Sequence, residues 1–211
     1  MAGSNGGGVE ADVSEWSTAK AYHFMTSIVA PRPIAWVTSL NEDGSVNAAP
    51  FSWYQSVCAD PPLIMVAFSD RDDGTLKDTA RNIQETGEFV VNSVTKDLAT
   101  VMVATSAPLA PGESEVAKTG LVTEPSKRVA PPRLRDAVAH LECRFVEAHR
   151  YGRDKGTTVL VGEVVHVHAE DEALDERGNL RPDVGLLGRL GGTWYTAATA
   201  DSTFPVQRPT E

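Results

Sequence analysis

The period of the hydrophobic positions changes several times along this chain. Ile34–Leu40 and Val46–Trp53 are apolar stretches rich in small residues. They flank Asn41-Glu42-Asp43-Gly44, whose Asp-Gly step predicts a hairpin turn. Leu63–Phe68 is a continuous apolar run and reads as a central strand; it follows Asp60-Pro61-Pro62, which is expected to interrupt a ladder. From Leu76 the period becomes helical, with Leu76, Ala80 and Ile83 on one face, so a helix is predicted over 76–86 with Gly87 as its stop. Thr75 and Asp78 have capping-box spacing. Phe89–Val94 reads as a strand and Asp97–Ala104 as a second helix, and the apolar stretch around Tyr22-His23 is expected to be helical. Residues 106–133 hold five prolines among polar residues and read as a long irregular excursion, a kind of segment that often carries function.

The last third returns to period two. Ala137, Ala139, Leu141, Cys143 and Phe145 alternate with His140, Glu142 and Arg144, which predicts a half-buried strand. Gly152–Gly156 turns the chain into Thr157–His168, where the apolar face changes near Glu163 and Gly162 marks an expected bulge. Many strands, few helices and no repeat point to a closed or split β-barrel. Residues 1–14 are Gly-rich and polar and read as a disordered leader, 15–199 as one domain, and 200–211 as a tail whose Phe204-Pro205-Val206 has the character of a docking segment.

Composition narrows the function classes. A net charge of −10 disfavours nonspecific affinity for nucleic acid or an anionic membrane, because the long-range field repels both. An anionic ligand must then be held by local donors. No apolar run approaches a membrane span, and the N-terminal residues lack the basic and apolar regions of a signal peptide, so a cytoplasmic location is expected. The two cysteines, Cys58 and Cys143, each fall in a predicted strand without a CxxC partner and are expected to be reduced and buried.

Three clusters are candidates for chemistry. The start of the 76–86 helix carries Lys77, Asp78 and Thr79, followed by Arg81 and Asn82, and the first turn of a helix presents unpaired N–H groups that suit an anion. Thr38, Ser39, Ser52 and Ser69 lie at or near strand ends beside Trp36, Phe51, Trp53 and Tyr54; together they match a flat ligand with a hydrogen-bonding edge and apolar faces. Gly188–Tyr195 (GRLGGTWY) sets Arg189 beside glycines that permit a close backbone approach. Each cluster also has a structural reading: an ordinary capped helix, surface hydroxyls with core aromatics, or a tight turn with a surface arginine. His166 and His168 share a strand face, but no third ligand is near in sequence and no metal is expected. No GxGxxG or GxxxxGK[ST] occurs, which removes the usual arguments for a dinucleotide-binding Rossmann unit or a P-loop.

The order of the motifs is more specific than any one of them. PRPIAWVTS (Pro31–Ser39), NAAPFSWYQSVCADPP (Asn47–Pro62), KDTARNI with EFVVNSV (Lys77–Val94) and RLGGTWY (Arg189–Tyr195) resemble the flavin reductase-like FMN-binding split-barrel family, nearest its flavoredoxin-like branch, over about Tyr22 to Tyr195. The resemblance implies a mainly β fold, a Greek-key split β-barrel with a few short flanking helices, assembled as a homodimer with FMN near the interface. It would place Arg32, Trp36, Thr38 and Ser39 along the flavin, and Ala49, Pro50, Phe51 and Ser52 at the ring and ribityl chain. Lys77, Asp78 and Thr79 would hold the phosphate with Asn82 in support, and Arg189 would approach from the C-terminal motif. Ser69 stays a candidate cofactor contact on its residue chemistry.

The implied activity is two-electron reduction of FMN by NADH or NADPH and passage of the electrons to a small-molecule acceptor. The chemistry belongs to the cofactor, so no catalytic residue is named. A non-enzymatic FMN electron carrier reduced by a protein partner is the second reading, and a split barrel that binds another ligand such as haem the third. Neither NADH nor NADPH is favoured by any motif.

Overall fold

The computed structural model describes residues 8–109, 113–153 and 155–209. Residues 1–7 of the expected leader, 110–112 of the excursion, Asp154 of the predicted turn and the last two residues of the tail lie outside them.

Helix α1 (Thr18–Ile28) covers the Tyr22-His23 stretch and opens on a Ser17 cap. The strands that follow are β1 (Arg32–Pro33), β2 (Ala35–Leu40), β3 (Val46–Phe51), β4 (Tyr54–Ala59) and β5 (Pro62–Ser69). Helix α2 (Asp78–Thr86), β6 (Glu88–Asn92) and α3 (Ala99–Ala104) come next. The excursion holds α4 (Glu115–Thr119) and the two-residue strands β7 (Thr123–Glu124) and β8 (Arg133–Leu134), which pair with each other. Two long strands, β9 (Ala139–Tyr151) and β10 (Thr157–Ala169), precede β11 (Leu187–Arg189) and β12 (Tyr195–Ala197).

Seven strands form one antiparallel sheet in the order β3-β2-β6-β9-β10-β5-β4. The two ends of that order, β3 and β4, are joined by Ser52 and Trp53 alone, so the sheet has to roll back on itself. Phe51 and Phe68 meet across the inside at 4.5 Å between ring centroids, and Ala67 donates its N–H to the Trp53 carbonyl at 2.8 Å. A three-stranded ribbon, β1-β11-β12, lies apart from it. The fold is mainly β.

Strand β2 is buried on both sides because it serves two cores. Ala35 and Val37 face the barrel interior with Phe51, Val66 and Phe89, and Ile83 of α2 joins that cluster. Ile34 and Trp36 face a second cluster, built from Val94, Met102, Leu134 and Leu187, that the excursion and the C-terminal ribbon close from outside. The predicted hairpin forms, with Gly44 at φ +81 and Asp43 accepting from the Ser45 amide at 2.9 Å. The β10 register shifts at Val161/Gly162 as expected, and a Cβ at Gly162 would lie 2.5 Å from Phe89 Cζ, which is why glycine stands there.

Several expectations are corrected. Asp60-Pro61-Pro62 forms a hairpin turn: Ala59 pairs with Pro62, which opens β5 where a missing N–H is tolerated. Strand β5 is next to the edge, and its outward Met65 remains exposed. The Thr75–Asp78 capping box does not form. The Thr75 amide and hydroxyl both go to Asp73, at 2.9 and 2.6 Å, because an aspartate two residues back competes for them; Lys77 becomes the N-cap residue and no side chain caps the helix.

Cys143 is buried, but Cys58 is exposed on the edge strand β4. The polar side of β9 is covered as well. His140 and Glu142 are each only 1% exposed beneath residues 126–134, where His140 Nε2 meets the Leu134 carbonyl at 2.8 Å and Glu142 accepts the Lys127 and Arg128 amides at 2.8 and 2.6 Å. His168 lies against His140, with the two Nδ1 atoms 3.3 Å apart. Among the described residues no helix is long and apolar enough to cross a membrane, and no cluster of three or more His, Cys, Asp or Glu is arranged to hold a metal.

Candidate functional site

A cavity of about 170 Å³ opens at the N-terminus of α2. Its floor is β3, through Asn47 and Ala49–Phe51; Arg71 and Lys77–Thr79 form one wall, and Thr105–Leu109 with Glu115 form the other. Because α2 has no side-chain cap, the N–H groups of its first turn are free of that competitor, and the helix dipole adds a partial positive charge. Lys77 is exposed as a residue, yet its Nζ sits 5.6 Å from the centroid of the Phe51 ring. Burial of that ammonium, then the charges of Lys155 and Arg71, lower its pKa.

The acidic groups at the site are already engaged. Asp78 is ion-paired with Arg71 and, at 2.7 Å, with Arg81. Glu115 is 8% exposed, and its Oε2 accepts from Asn47 Nδ2 at 2.9 Å and the Ala48 amide at 3.0 Å. Burial raises the Glu115 pKa, opposed by those donors. Asn47 Oδ1 in turn accepts from Thr79 Oγ1 at 2.7 Å and Ser39 Oγ at 3.2 Å. Asn82 extends the network by donating to Asn41 Oδ1 at 2.8 Å and Ser39 Oγ at 3.3 Å. One buried chain of hydrogen bonds thus ties α4, β3, β2 and α2 together.

The fourteen sequence candidates divide by location. Ala49, Pro50, Phe51, Lys77, Asp78 and Thr79 share this cavity. Trp36, Thr38, Ser39 and Asn82 lie in the interior next to it: Trp36 donates to Thr105 Oγ1 at 3.0 Å and Thr38 to the Pro132 carbonyl at 2.6 Å. Ser69 is exposed at the far end of β5, opposite Thr157.

Arg32 and Arg189 are register partners in the small ribbon, away from the cavity lining. Arg32 donates to the Thr26, Val29 and Leu190 carbonyls at 2.5, 2.8 and 3.0 Å, satisfying the C-terminal end of α1. Arg189 lies over Tyr195 and bonds its hydroxyl and the Gly192 carbonyl, both at 2.9 Å.

Ser52 and Arg32 line a second, larger cavity of about 360 Å³, walled mainly by apolar groups including Met25, Val29, Trp53 and Met65. Tyr54 also borders it, its pKa pushed up to about 12 by burial.

Arg71, Asn47, Thr105–Leu109 and Glu115 were not singled out by the sequence. Arg71 follows a strand end in a turn, SDRDDGT, and its basic charge just before a helix start was the one local signal. Nothing near Glu115 in sequence connects it to Asn47, 68 residues away.

The donor set matches a phosphate: two cations, an uncapped helix start and few free acceptors. The smaller cavity lies under the ~300 Å³ usual for a site enclosing a whole small molecule, so it suits one anionic end of a longer ligand.

The flavin reductase like domain family matches residues 26–186 of this chain. The structure is similar to the 2-nitrobenzoate 2-nitroreductase of Pseudomonas fluorescens, with a TM-score of 0.85 at 33% identity over 96% of this chain and 97% of that one. It is similar also to nitrilotriacetate monooxygenase component B from Bacillus cereus, with a TM-score of 0.89 at 30% identity over 96% and 100%. Flavoredoxin of Desulfovibrio vulgaris (Miyazaki F) has a TM-score of 0.70 at 21% identity over 85% and 91%, and shows a shared fold alone.

Proposed function

This chain belongs to the flavin reductase-like family, and on that premise we propose that it is an FMN-dependent oxidoreductase that uses NADH or NADPH to reduce a small-molecule acceptor. The observation that carries this reading is the cavity at the start of α2, where Lys77, Arg71 and an uncapped first turn converge as donors for a phosphate. When bound, FMN supplies the two-electron chemistry. The chain's own residues bind and orient: Lys77 neutralises phosphate charge, the amides of the first turn direct its oxygens, and Ala49–Phe51 form an apolar floor under the adjoining chain. Ser39 and Asn82 act from the interior by holding β2, β3 and α2 together, while Trp36 and Thr38 tie β2 to Thr105 and the Pro132 carbonyl. No side chain in the cavity is needed as an acid or base.

A homodimer is part of the same proposal. What supports it is a set of exposed apolar side chains: Tyr22, Met25 and Ile28 on α1, Val29 just after it, and Val57 and Met65 on β4 and β5. In that assembly Ser52, Arg32 and Arg189, outside the phosphate cavity, would meet the cofactor near the shared surface. A monomer in solution that binds FMN tightly would contradict it.

The deciding experiment is the visible absorption spectrum of the purified protein, supplemented with FMN, before and after NADH or NADPH. Flavin absorbance that bleaches rapidly and recovers with an acceptor is the expected result. Slow or absent bleaching would leave an electron carrier, and a protein that takes up no FMN would overturn the flavin reading altogether.

A further inference from the structure

Glu115 is an unexpected group in the wall of an anion site. It comes from α4, in the excursion, and Ser114 beside it anchors that segment by donating its hydroxyl to the Val46 carbonyl on β3. Among the described residues Glu115 forms no ion pair; its recorded partners are the Asn47 amide nitrogen and the Ala48 N–H. A carboxylate can only accept, so it turns the NH2 of Asn47 toward itself and the carbonyl oxygen the other way. That oxygen receives the Thr79 hydroxyl on the first turn of α2. The direction of each bond is set by the one before it, starting from Glu115.

Resting on the reading of this cavity as the FMN phosphate site, we propose that Glu115 is a positioning residue for the phosphate end. Through Asn47 it fixes Thr79 and the start of α2, and its negative charge keeps the affinity for the phosphorylated cofactor low enough for exchange. The charged groups that share the cavity are Lys77, Arg71 and Asp78; Asp78 is occupied with Arg71 and Arg81. Glu115 is therefore the acidic group there whose charge no cation offsets among the described residues. Burial raises its pKa, opposed by the Ala48 and Asn47 N–H donors that hold the carboxylate in place.

The proposal separates geometry from charge. Glu115→Gln keeps an acceptor oxygen for both donors and removes the charge; it should tighten FMN by about tenfold and leave riboflavin, which has no phosphate, unchanged. Glu115→Ala removes both and frees the Asn47 amide to turn, so it should bind FMN more weakly than Glu115→Gln does, with riboflavin as the reference. Thr79→Val leaves Glu115 in place and should also weaken FMN selectively. In the Thr79→Val background the difference between the Ala and Gln variants should largely vanish, because the chain of bonds is already cut and both remove the charge.

Dissociation constants for both flavins, from quenching of flavin fluorescence on the purified protein and its variants, read every arm. A Gln variant that shifts FMN and riboflavin by the same factor, or a difference between the Ala and Gln variants that persists in the Thr79→Val background, would overturn the role of Glu115 while leaving the flavin site standing. A wild-type protein that binds neither flavin would instead remove the underlying reading, and this inference with it.

Discussion

Thr79 on α2 donates its hydroxyl hydrogen to Asn47 Oδ1 on β3, 2.7 Å away. The helix start is thereby fastened to the sheet, and the hydroxyl is committed before any ligand arrives. A phosphate in the neighbouring cavity must then draw mainly on Lys77, Arg71 and backbone amides.

Lys77→Ala should therefore weaken FMN by at least about tenfold, since a charge-assisted hydrogen bond contributes about 1.5–3 kcal/mol. Riboflavin should be nearly unaffected. Parallel titrations with the two flavins check this, and an equal loss for both would refute a phosphate contact at Lys77.

His140 predicts a pH dependence of stability. Its Nε2–H faces the Leu134 carbonyl at 2.8 Å, so Nδ1 accepts from His168 and the ring must stay neutral. Burial, aided by Arg133 and His168, lowers its pKa from 6.5 to about 4. The unfolded chain thus binds a proton that the folded one refuses between these two values. Stability from this group is complete above pH 6.5 and falls by up to about 1.4 kcal/mol per unit as pH drops toward 4. Urea midpoints at pH 7, 5.5 and 4.5 should show the slope, and His140→Gln should flatten it in that window at some cost at neutral pH.

Gly162→Ala should destabilise the barrel by about 1–3 kcal/mol, because the added methyl meets the ring of Phe89, which has no exposed surface and no room to withdraw. A lowered midpoint in thermal or urea unfolding would be seen. A change within error would mean that β10 can slide past Phe89 at its bulge.

Glu142→Ala should loosen residues 126–131. It strands the Lys127 and Arg128 amides, now bonded at 2.8 and 2.6 Å, and a lost buried carboxylate partner costs about 1–3 kcal/mol. Faster hydrogen exchange at those two amides, with the α2 amides unchanged, is the expected pattern.

The two thiols should differ in reactivity. Cys58 is exposed and should react with a thiol reagent in the native protein; Cys143 is buried, its pKa raised by burial, and should react only on unfolding. Two fast thiols in the native state would be inconsistent with the position of β9.

Much of the fold was legible in local pattern. The Asp43-Gly44 turn, the helix before Gly87 and the early helix around Tyr22 each depend on residues within a few positions of one another, so spacing alone predicts them. The capping box failed for an equally local reason, since Asp73 offered Thr75 a nearer partner.

The order of the four motifs carried the resemblance to the family, and with it the kind of fold, because those motifs are strand, turn and helix-start signals read from local sequence. Which residues meet was decided by the rolled sheet. Closure between β3 and β4 and the return of the excursion over β2 and β9 buried His140 and Glu142, whose alternation had suggested a solvent face. They also brought Glu115 to Asn47 and set Arg32 and Arg189 on a ribbon outside the α2 cavity. Periodicity reports which side of an element is apolar. It carries no information on what a distant segment will lay across the other side, and that is set by long-range packing and by the need to satisfy each buried polar group.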